Sequence, residues 1–388
     1  MSNHLIHRRE FMKWSATAAL SVAASGLAAA VPGSALKAAI IGHTGHGDYG
    51  HGLDGIFDGR KNIEIVAVAD PDETGRKSAM EKIKPHRGYT DYREMLEKEK
   101  PNLVSVAMRE AAHHHEIILA CLKAGAHVYS EKPFVTAPNE ADELLTLGDE
   151  KKLKIAVAHT MRMSEVMLRL RQGLREGLIG DLVEMRAYGK QDARAGGEDM
   201  IVLGSHLFDL MRLYAGNPLG CTARVLQGGR DITRQDRRLV KDNNGHVGGN
   251  EVFAHFTFPN SVNATFTSAA KLRDTSGHWG IEFYGSKGAF RINCDMSPNV
   301  FIRRTSGWSG KGKTDTWEPL EAKLVQTPPE HNAGPVGDWL DSISNNREPE
   351  CSGRNGAWAV EMVCAVYQAS ITKKQITFPL EQRMHPLG

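Results

Sequence analysis

The chain has no charge excess of either sign: 48 lysines and arginines stand against 46 aspartates and glutamates, a net charge of +2 over 388 residues. Nucleic acid and an anionic membrane surface are excluded as principal partners, because both call for a clustered basic excess. Cysteine is scarce. The five thiols (Cys121, Cys221, Cys294, Cys351 and Cys364) are odd in number, widely spaced and mostly in apolar stretches. That excludes a disulfide framework and a zinc-finger spacing and leaves buried thiols, which suit folding in a reducing compartment. Long hydrophobic runs are also missing. Beyond the N-terminal segment nothing approaches the roughly 20 apolar residues of a bilayer span, so no membrane anchor is expected. What is left is a chain that is 41% hydrophobic and long enough for two domains. Small molecules are its expected partners.

The N-terminus is the one basic, then apolar, stretch. His7-Arg8-Arg9-Glu10-Phe11-Met12-Lys13 precedes a mildly apolar Ala/Ser-rich run from Trp14 to Ala30, ending in the small-residue site Ala28-Ala29-Ala30. The pattern resembles a twin-arginine (Tat) signal peptide spanning residues 1–30. It implies export of an already folded protein to the periplasm or beyond.

Strand and helix signals alternate through the first half. Leu36 to Ile41, Ile63 to Ala69, Leu103 to Ala107 and Ile155 to His159 are short apolar runs, and helical stretches run from about Ala111 to Ala124 and from Pro138 to about Leu147, each stopped by a glycine. The expected fold class is α/β with a parallel sheet covered on both faces, binding ligands at the carboxyl ends of its strands. After the first strand the chain reads Gly42-His43-Thr44-Gly45-His46-Gly47-Asp48-Tyr49-Gly50-His51, which holds G-x-G-x-x-G at Gly45, Gly47 and Gly50. Followed by a helix, such a loop cradles a pyrophosphate on backbone N–H groups. Gly42, Thr44, Gly45, Gly47 and Gly50 are therefore candidate cofactor contacts. Asp70 closes the second strand, where a carboxylate accepts from the adenosine ribose and repels a 2′-phosphate, so NAD is expected rather than NADP.

His127-Val128-Tyr129-Ser130-Glu131-Lys132-Pro133 resembles the Glu-Lys-Pro segment of the glucose-fructose oxidoreductase, inositol dehydrogenase and MocA (Gfo/Idh/MocA) family. Leu103 to Glu116, Tyr89-Thr90-Asp91-Tyr92 and Gly180-Asp181-Leu182-Val183-Glu184 support the resemblance, which covers nearly the whole chain after residue 30. It implies an N-terminal Rossmann dinucleotide-binding domain (35–160) and a C-terminal α+β domain (161–388) with an open, mostly antiparallel sheet. The second half independently shows alternating runs at Val252 to Phe258, Val262 to Thr267 and Gly280 to Phe283, and helical stretches at Val336 to Ile343 and Gly356 to Ser370. A sheet with one face uncovered by helices implies a homodimer or tetramer.

The resemblance also places the chemistry. Lys132 carries over as a proton-transfer or alkoxide-stabilising group beside the nicotinamide, with Glu131 as its neighbour at the cofactor and a cis bond before Pro133. The family's second motif, Asp-x-Gly-x-His, reads Val202-Leu203-Gly204-Ser205-His206. His206 is retained as the candidate general base, whereas Val202 cannot exchange a proton. Asp199 is a candidate orienting or substrate-binding carboxylate, and Asp209, three residues after His206, would share its helix face and is a candidate substrate contact. His159 and Arg162 follow the last Rossmann strand, where ligands gather, and are candidate substrate contacts. Consecutive helical residues diverge, so His113-His114-His115 is read as solvated or cofactor-edge histidines; no metal site is expected. Arg109-Glu110-Ala111 departs from the family's Thr-Pro-Asn.

Three functional readings follow, in order. The first is an exported NAD-dependent oxidoreductase of a carbohydrate or cyclitol that keeps its dinucleotide. The second is a redox-neutral lyase or glycoside hydrolase, similar to the family's NAD-dependent alpha-N-acetylgalactosaminidases. The third is a cofactor-binding scaffold or sensor.

Overall fold

β1 (Leu36–Ile41) is buried on both faces from Ala38 onward, as a central parallel strand must be. In this computed structural model residues 35–272, 279–294, 299–304, 316–320 and 328–388 are described; the Tat-like segment, 1–30, lies outside them. After β1 come β2 (Ile63–Ala69), α1 (Glu73–Ile83), β3 (Arg87–Tyr89), α2 (Tyr92–Glu99), β4 (Leu103–Val106), α3 (His114–Ala124), β5 (His127–Ser130), α4 (Pro138–Lys151) and β6 (Ile155–Val157). The strands form a six-stranded parallel sheet in the order β3-β2-β1-β4-β5-β6. Strand order reverses between β1 and β4, and that is where such sheets bind ligands.

Two boundaries differ from the sequence reading. α4 does not stop before Gly148 but passes through it to Lys151. Lys152, in the left-handed region at φ 57°, ends the helix. The larger difference follows β1. No α-helix succeeds the glycine loop; the chain turns through a single 3-10 turn, Leu53–Gly55, behind Gly52 at φ 81°. With positive φ at Gly45, Gly47, Asp48, Gly50 and Gly52, the segment cannot be helical. The sheet face thus left open is covered from far along the chain, where Trp339 is fully buried and packs 5.7 Å from Tyr129 and 6.5 Å from Phe57.

The second half begins with α5 (Glu165–Arg175) and β7 (Leu182–Tyr188). One helical turn (Gly197–Asp199), a π-helical turn (Met200–Gly204) and α6 (Ser205–Ala215) then run on without a break. They are followed by β8 (Gly220–Gln227), β9 (Arg230–Asp231), β10 (Glu251–Thr257), β11 (Asn263–Ala269), β12 (Gly280–Gly285), β13 (Ala289–Asn293), β14 (Asn299–Arg303), β15 (Glu318–Leu320), α7 (Pro328–Ser344), α8 (Gly353–Thr372) and β16 (Ile376–Thr377). The ten strands of the second sheet run β15-β14-β13-β12-β7-β11-β10-β8-β16, with β9 paired to β8. Every pairing is antiparallel except β7 with β11. α8 is buried along most of its length, packing on β8, α4 and α6 and so joining the two sheets.

Candidate active site

The carboxyl ends of β5 and β6 face the Gly197–Ala215 helical segment across a cavity of about 420 Å³ lined by Glu131, Lys132 and His206, together with Arg194, Asp242 and Trp279. Lys132 stands on a tight turn whose bond to Pro133 is cis. Its Nζ donates to the carbonyl of Val202 at 3.1 Å, within the π-helical turn. π-turns inside α-helices recur at functional sites. The motif position that lost its carboxylate therefore still holds the lysine, through its main chain.

Burial governs the protonation states. It pushes the Lys132 ammonium below its usual range; the neighbouring Glu131 charge opposes this, and Arg194 and Arg109 add to it. Burial by itself would raise Glu131, yet the hydrogen bond and charge of His51, with Lys132, hold that carboxyl at about 2. Glu131 accepts from the His51 backbone N–H at 3.0 Å and the Lys132 N–H at 2.9 Å, and His51 Nδ1 lies 2.9 Å away. Desolvation, reinforced by Lys132 and His159, pushes His206 well below the usual histidine range. Desolvation likewise takes His159 to about 4. The two rings meet edge-on at 5.4 Å. Nδ1 of His206 and both nitrogens of His159 are buried without a hydrogen-bond partner among the described residues. A held ammonium beside a neutral imidazole is an arrangement able to stabilise an alkoxide and accept a proton.

Several expected site residues lie elsewhere. Asp199 is fully buried and accepts from the backbone N–H groups of Lys190 (3.2 Å) and Gln191 (3.0 Å) and from the Ser268 hydroxyl (2.6 Å). With its oxygens taken it fixes the Lys190–Gln191 backbone, not substrate. Asp209 does not orient His206; it forms a buried ion pair with Arg162. Those two candidate substrate residues satisfy one another, and removing either would leave an uncompensated buried charge. His159 stays near the site, packed behind His206.

The glycine loop departs further from expectation. A Cβ on Gly47 would lie 2.3 Å from the Arg109 nitrogen and one on Gly50 2.3 Å from the Ala107 carbonyl. The close approach these glycines permit is to the end of β4, sealed by Arg109 N–H donating to the Gly47 carbonyl at 3.3 Å. Gly42 makes room for the Tyr49 ring, 2.2 Å from where its Cβ would be. Asp70 ends β2 as expected but is fully buried. It accepts from the Thr44 N–H (3.2 Å) and hydroxyl (2.7 Å) and from the Tyr49 hydroxyl (3.0 Å). Thr44 thus faces Asp70, and a ribose hydroxyl would have to take over a bond that Tyr49 now makes. On the far side of the loop, Gly42, His43, Ala69, Pro71 and Thr90 line a second cavity of about 310 Å³. The glycine loop reaches both cavities, lining the first with His51 and the second with Gly42 and His43.

Of the triple histidine, His114 is buried with its ring nitrogens 2.8 Å from the Pro133 and Met108 carbonyls, pinning the Lys132 turn to β4. His115 pairs with Glu143 at 2.9 Å. Arg194, Asp242 and Trp279 were not singled out from sequence. They sit on irregular segments, where no periodicity signals which way a side chain points.

Comparison with known proteins agrees with this architecture. The oxidoreductase family model for an NAD-binding Rossmann fold matches residues 36–159, and the family's C-terminal alpha/beta domain model matches residues 183–378. The chain is 23% identical over 324 residues to a D-apiose dehydrogenase of Paraburkholderia graminis, covering 78% of this chain and 80% of that protein. It is 24% identical over 335 residues to a myo-inositol 2-dehydrogenase of Thermotoga maritima, covering 80% and 90%. In fold it is similar to levoglucosan dehydrogenase solved with NADH and levoglucosan, at a TM-score of 0.70 and 16% identity over 89% of this chain and 100% of that one.

Proposed function

The chain belongs to the Gfo/Idh/MocA oxidoreductase family, and from that premise we propose that it oxidises a hydroxyl of a sugar, cyclitol or close derivative with NAD as hydride acceptor. The observation that carries the proposal is the convergence of the Lys132 ammonium and the neutral His206 imidazole on one cavity walled by Trp279. When bound, the nicotinamide supplies the hydride-accepting carbon. Lys132, steadied by the Val202 carbonyl and by Glu131, donates to the carbinol oxygen and stabilises negative charge there as the proton leaves. His206 accepts that proton. Trp279 offers an apolar wall for the C–H face of a sugar, and Arg194 and Asp242 offer a donor and an acceptor for its hydroxyls.

Glu131 would hold the cofactor at the nicotinamide end. Asp70 would hold the adenosine ribose, once Tyr49 yields its bond, and the glycine-loop amides would face the pyrophosphate. Preference for NAD over NADP is supported by the Asp70 carboxylate. The Tat-like segment supports export, and no diffusible nicotinamide pool is expected outside the cell membrane, so retention of the dinucleotide is part of the proposal. Association into a homodimer or tetramer through the ten-stranded sheet is supported by Phe253, 40% exposed and paired with Thr267 and Arg224 on the outward face.

The absence of a diffusible nicotinamide pool expected after export favours one further reading: the hydride returns to the same sugar after elimination, leaving no net redox change. Both readings predict that the desalted protein, denatured and analysed by mass spectrometry, releases NAD or NADH in near-stoichiometric amount. Asp70→Ala should bind it about tenfold more weakly or worse, the loss of a hydrogen bond to a charged group being worth ~1.5 kcal/mol or more. Empty wild-type protein that releases NADH freely from added NAD would sink the retention claim and leave an ordinary dehydrogenase.

A further inference from the structure

Beside the β1–β4 crevice, outside the cavity of Lys132 and His206 and at the wall of the second cavity, which His113 lines, three side chains meet whose roles the proposed chemistry leaves open. His46 comes from the glycine loop, while Glu110 and His113 come from the turn between β4 and α3. His46 Nδ1 lies 3.1 Å and His113 Nε2 3.6 Å from the same oxygen, Oε2 of Glu110. The three ligand-type atoms all fall within 4.8 Å of one another. A fourth imidazole, His43, packs against His46 with centroids 4.3 Å apart and the rings tilted by 43°.

The spacing is that of a coordination sphere. Metal–ligand bonds of about 2.0–2.2 Å at tetrahedral angles set neighbouring donor atoms roughly 3.3 Å apart, between the two distances measured. At 3.1 Å His46 is hydrogen-bonded to Glu110, whereas at 3.6 Å the His113 nitrogen faces the same carboxylate oxygen from beyond hydrogen-bond distance. The burial is also that of an open site: Glu110 is 5% exposed, and the His46 side chain is 51% exposed. Gly45 at φ 84° and Gly47 at φ 88° flank His46, and the loop they allow carries it to the end of β4. Consecutive histidines do diverge, as His114 and His115 show; His113 turns to Glu110 on its own turn and to His46 from the glycine loop, with Nδ1 3.7 Å from Glu116.

We propose that His46, Glu110 and His113 bind one divalent transition-metal ion of the zinc class, with at least one coordination position open to water. Two imidazoles and one carboxylate select zinc, cobalt or nickel over magnesium and calcium, which prefer all-oxygen ligands. The ion ties the glycine loop to β4 beside Arg109. The inference does not depend on the proposed reaction, since binding is read without turnover.

The test uses the full chain, stripped of metal and titrated with Zn2+ against a chromophoric chelator and with Co2+ followed by its visible absorption. One ion per chain is expected, with a tetrahedral-type cobalt spectrum and no competition from Mg2+. His46→Ala, Glu110→Gln and His113→Ala should each weaken binding at least ~100-fold, more than the loss of an outer-shell partner. His115→Ala should leave it unchanged. His46 sits on an exposed loop, so a His46→Gln variant, checked by circular dichroism, keeps the test available should another variant misfold. Absence of binding by the unmodified protein, or binding that survives all three ligand substitutions, overturns the site.

Discussion

Lys132→Met lowers kcat by about 10²–10³-fold, the cost of one preorganised donor at a developing oxyanion, while the protein stays folded and keeps its dinucleotide. The methionine retains the apolar stem that Lys132 buries in the cavity wall and removes only the ammonium held by the Val202 carbonyl. A group that acts on charge developing in the transition state affects kcat more than KM. Steady-state kinetics on an identified sugar substrate, with dinucleotide content measured in parallel, checks this. Unchanged kcat would remove Lys132 from the chemistry.

His206→Ala is expected to cost ~10²–10⁴-fold in kcat/KM, the usual contribution of a positioned base. The unmodified enzyme should carry the corresponding pH signature. Burial, with Lys132 and His159 adding to it, depresses the His206 pKa, so the neutral, proton-accepting form persists as pH falls through 6.5. The acid limb of kcat/KM therefore lies well below the ordinary histidine range, and it should disappear from the residual activity of His206→Ala. A limb centred near 6.5 in the unmodified enzyme would mean that His206 is solvated or is not the base.

These two residues were legible in the sequence because short contiguous motifs carry them, Glu131-Lys132-Pro133 on one side of the cavity and Gly204-Ser205-His206 on the other. The parallel sheet was legible for a related reason: strands buried on both faces read as short continuous apolar runs between glycines. Asp199 and Asp209 were misplaced because nearness in sequence to His206 does not set direction. One carboxylate turns to the Lys190–Gln191 backbone and the other to Arg162, each choosing the donor that satisfies it when buried. The glycine loop matched a phosphate-binding fingerprint, yet the same positive-φ glycines that would admit a pyrophosphate also let the loop dock on β4 and prevent a helix from following. That α7 would then cover the open sheet face could not be read locally, since Trp339 and Tyr129 are separated by most of the second domain. The Val202 change illustrates a different limit. Sequence records the lost carboxylate, but the contact to Lys132 is made by a carbonyl, which any residue possesses.

Deuterium tracing tests the central claim most directly. The purified protein, with its own dinucleotide or with added NAD, is incubated with a carbohydrate panel deuterated at the carbinol carbons, and nicotinamide and sugars are then analysed by mass spectrometry. The account predicts that deuterium leaves one carbinol carbon and appears on the nicotinamide ring of the bound dinucleotide, and that this transfer is lost together with turnover in Lys132→Met and His206→Ala. Turnover of a sugar without label reaching the nicotinamide would contradict it.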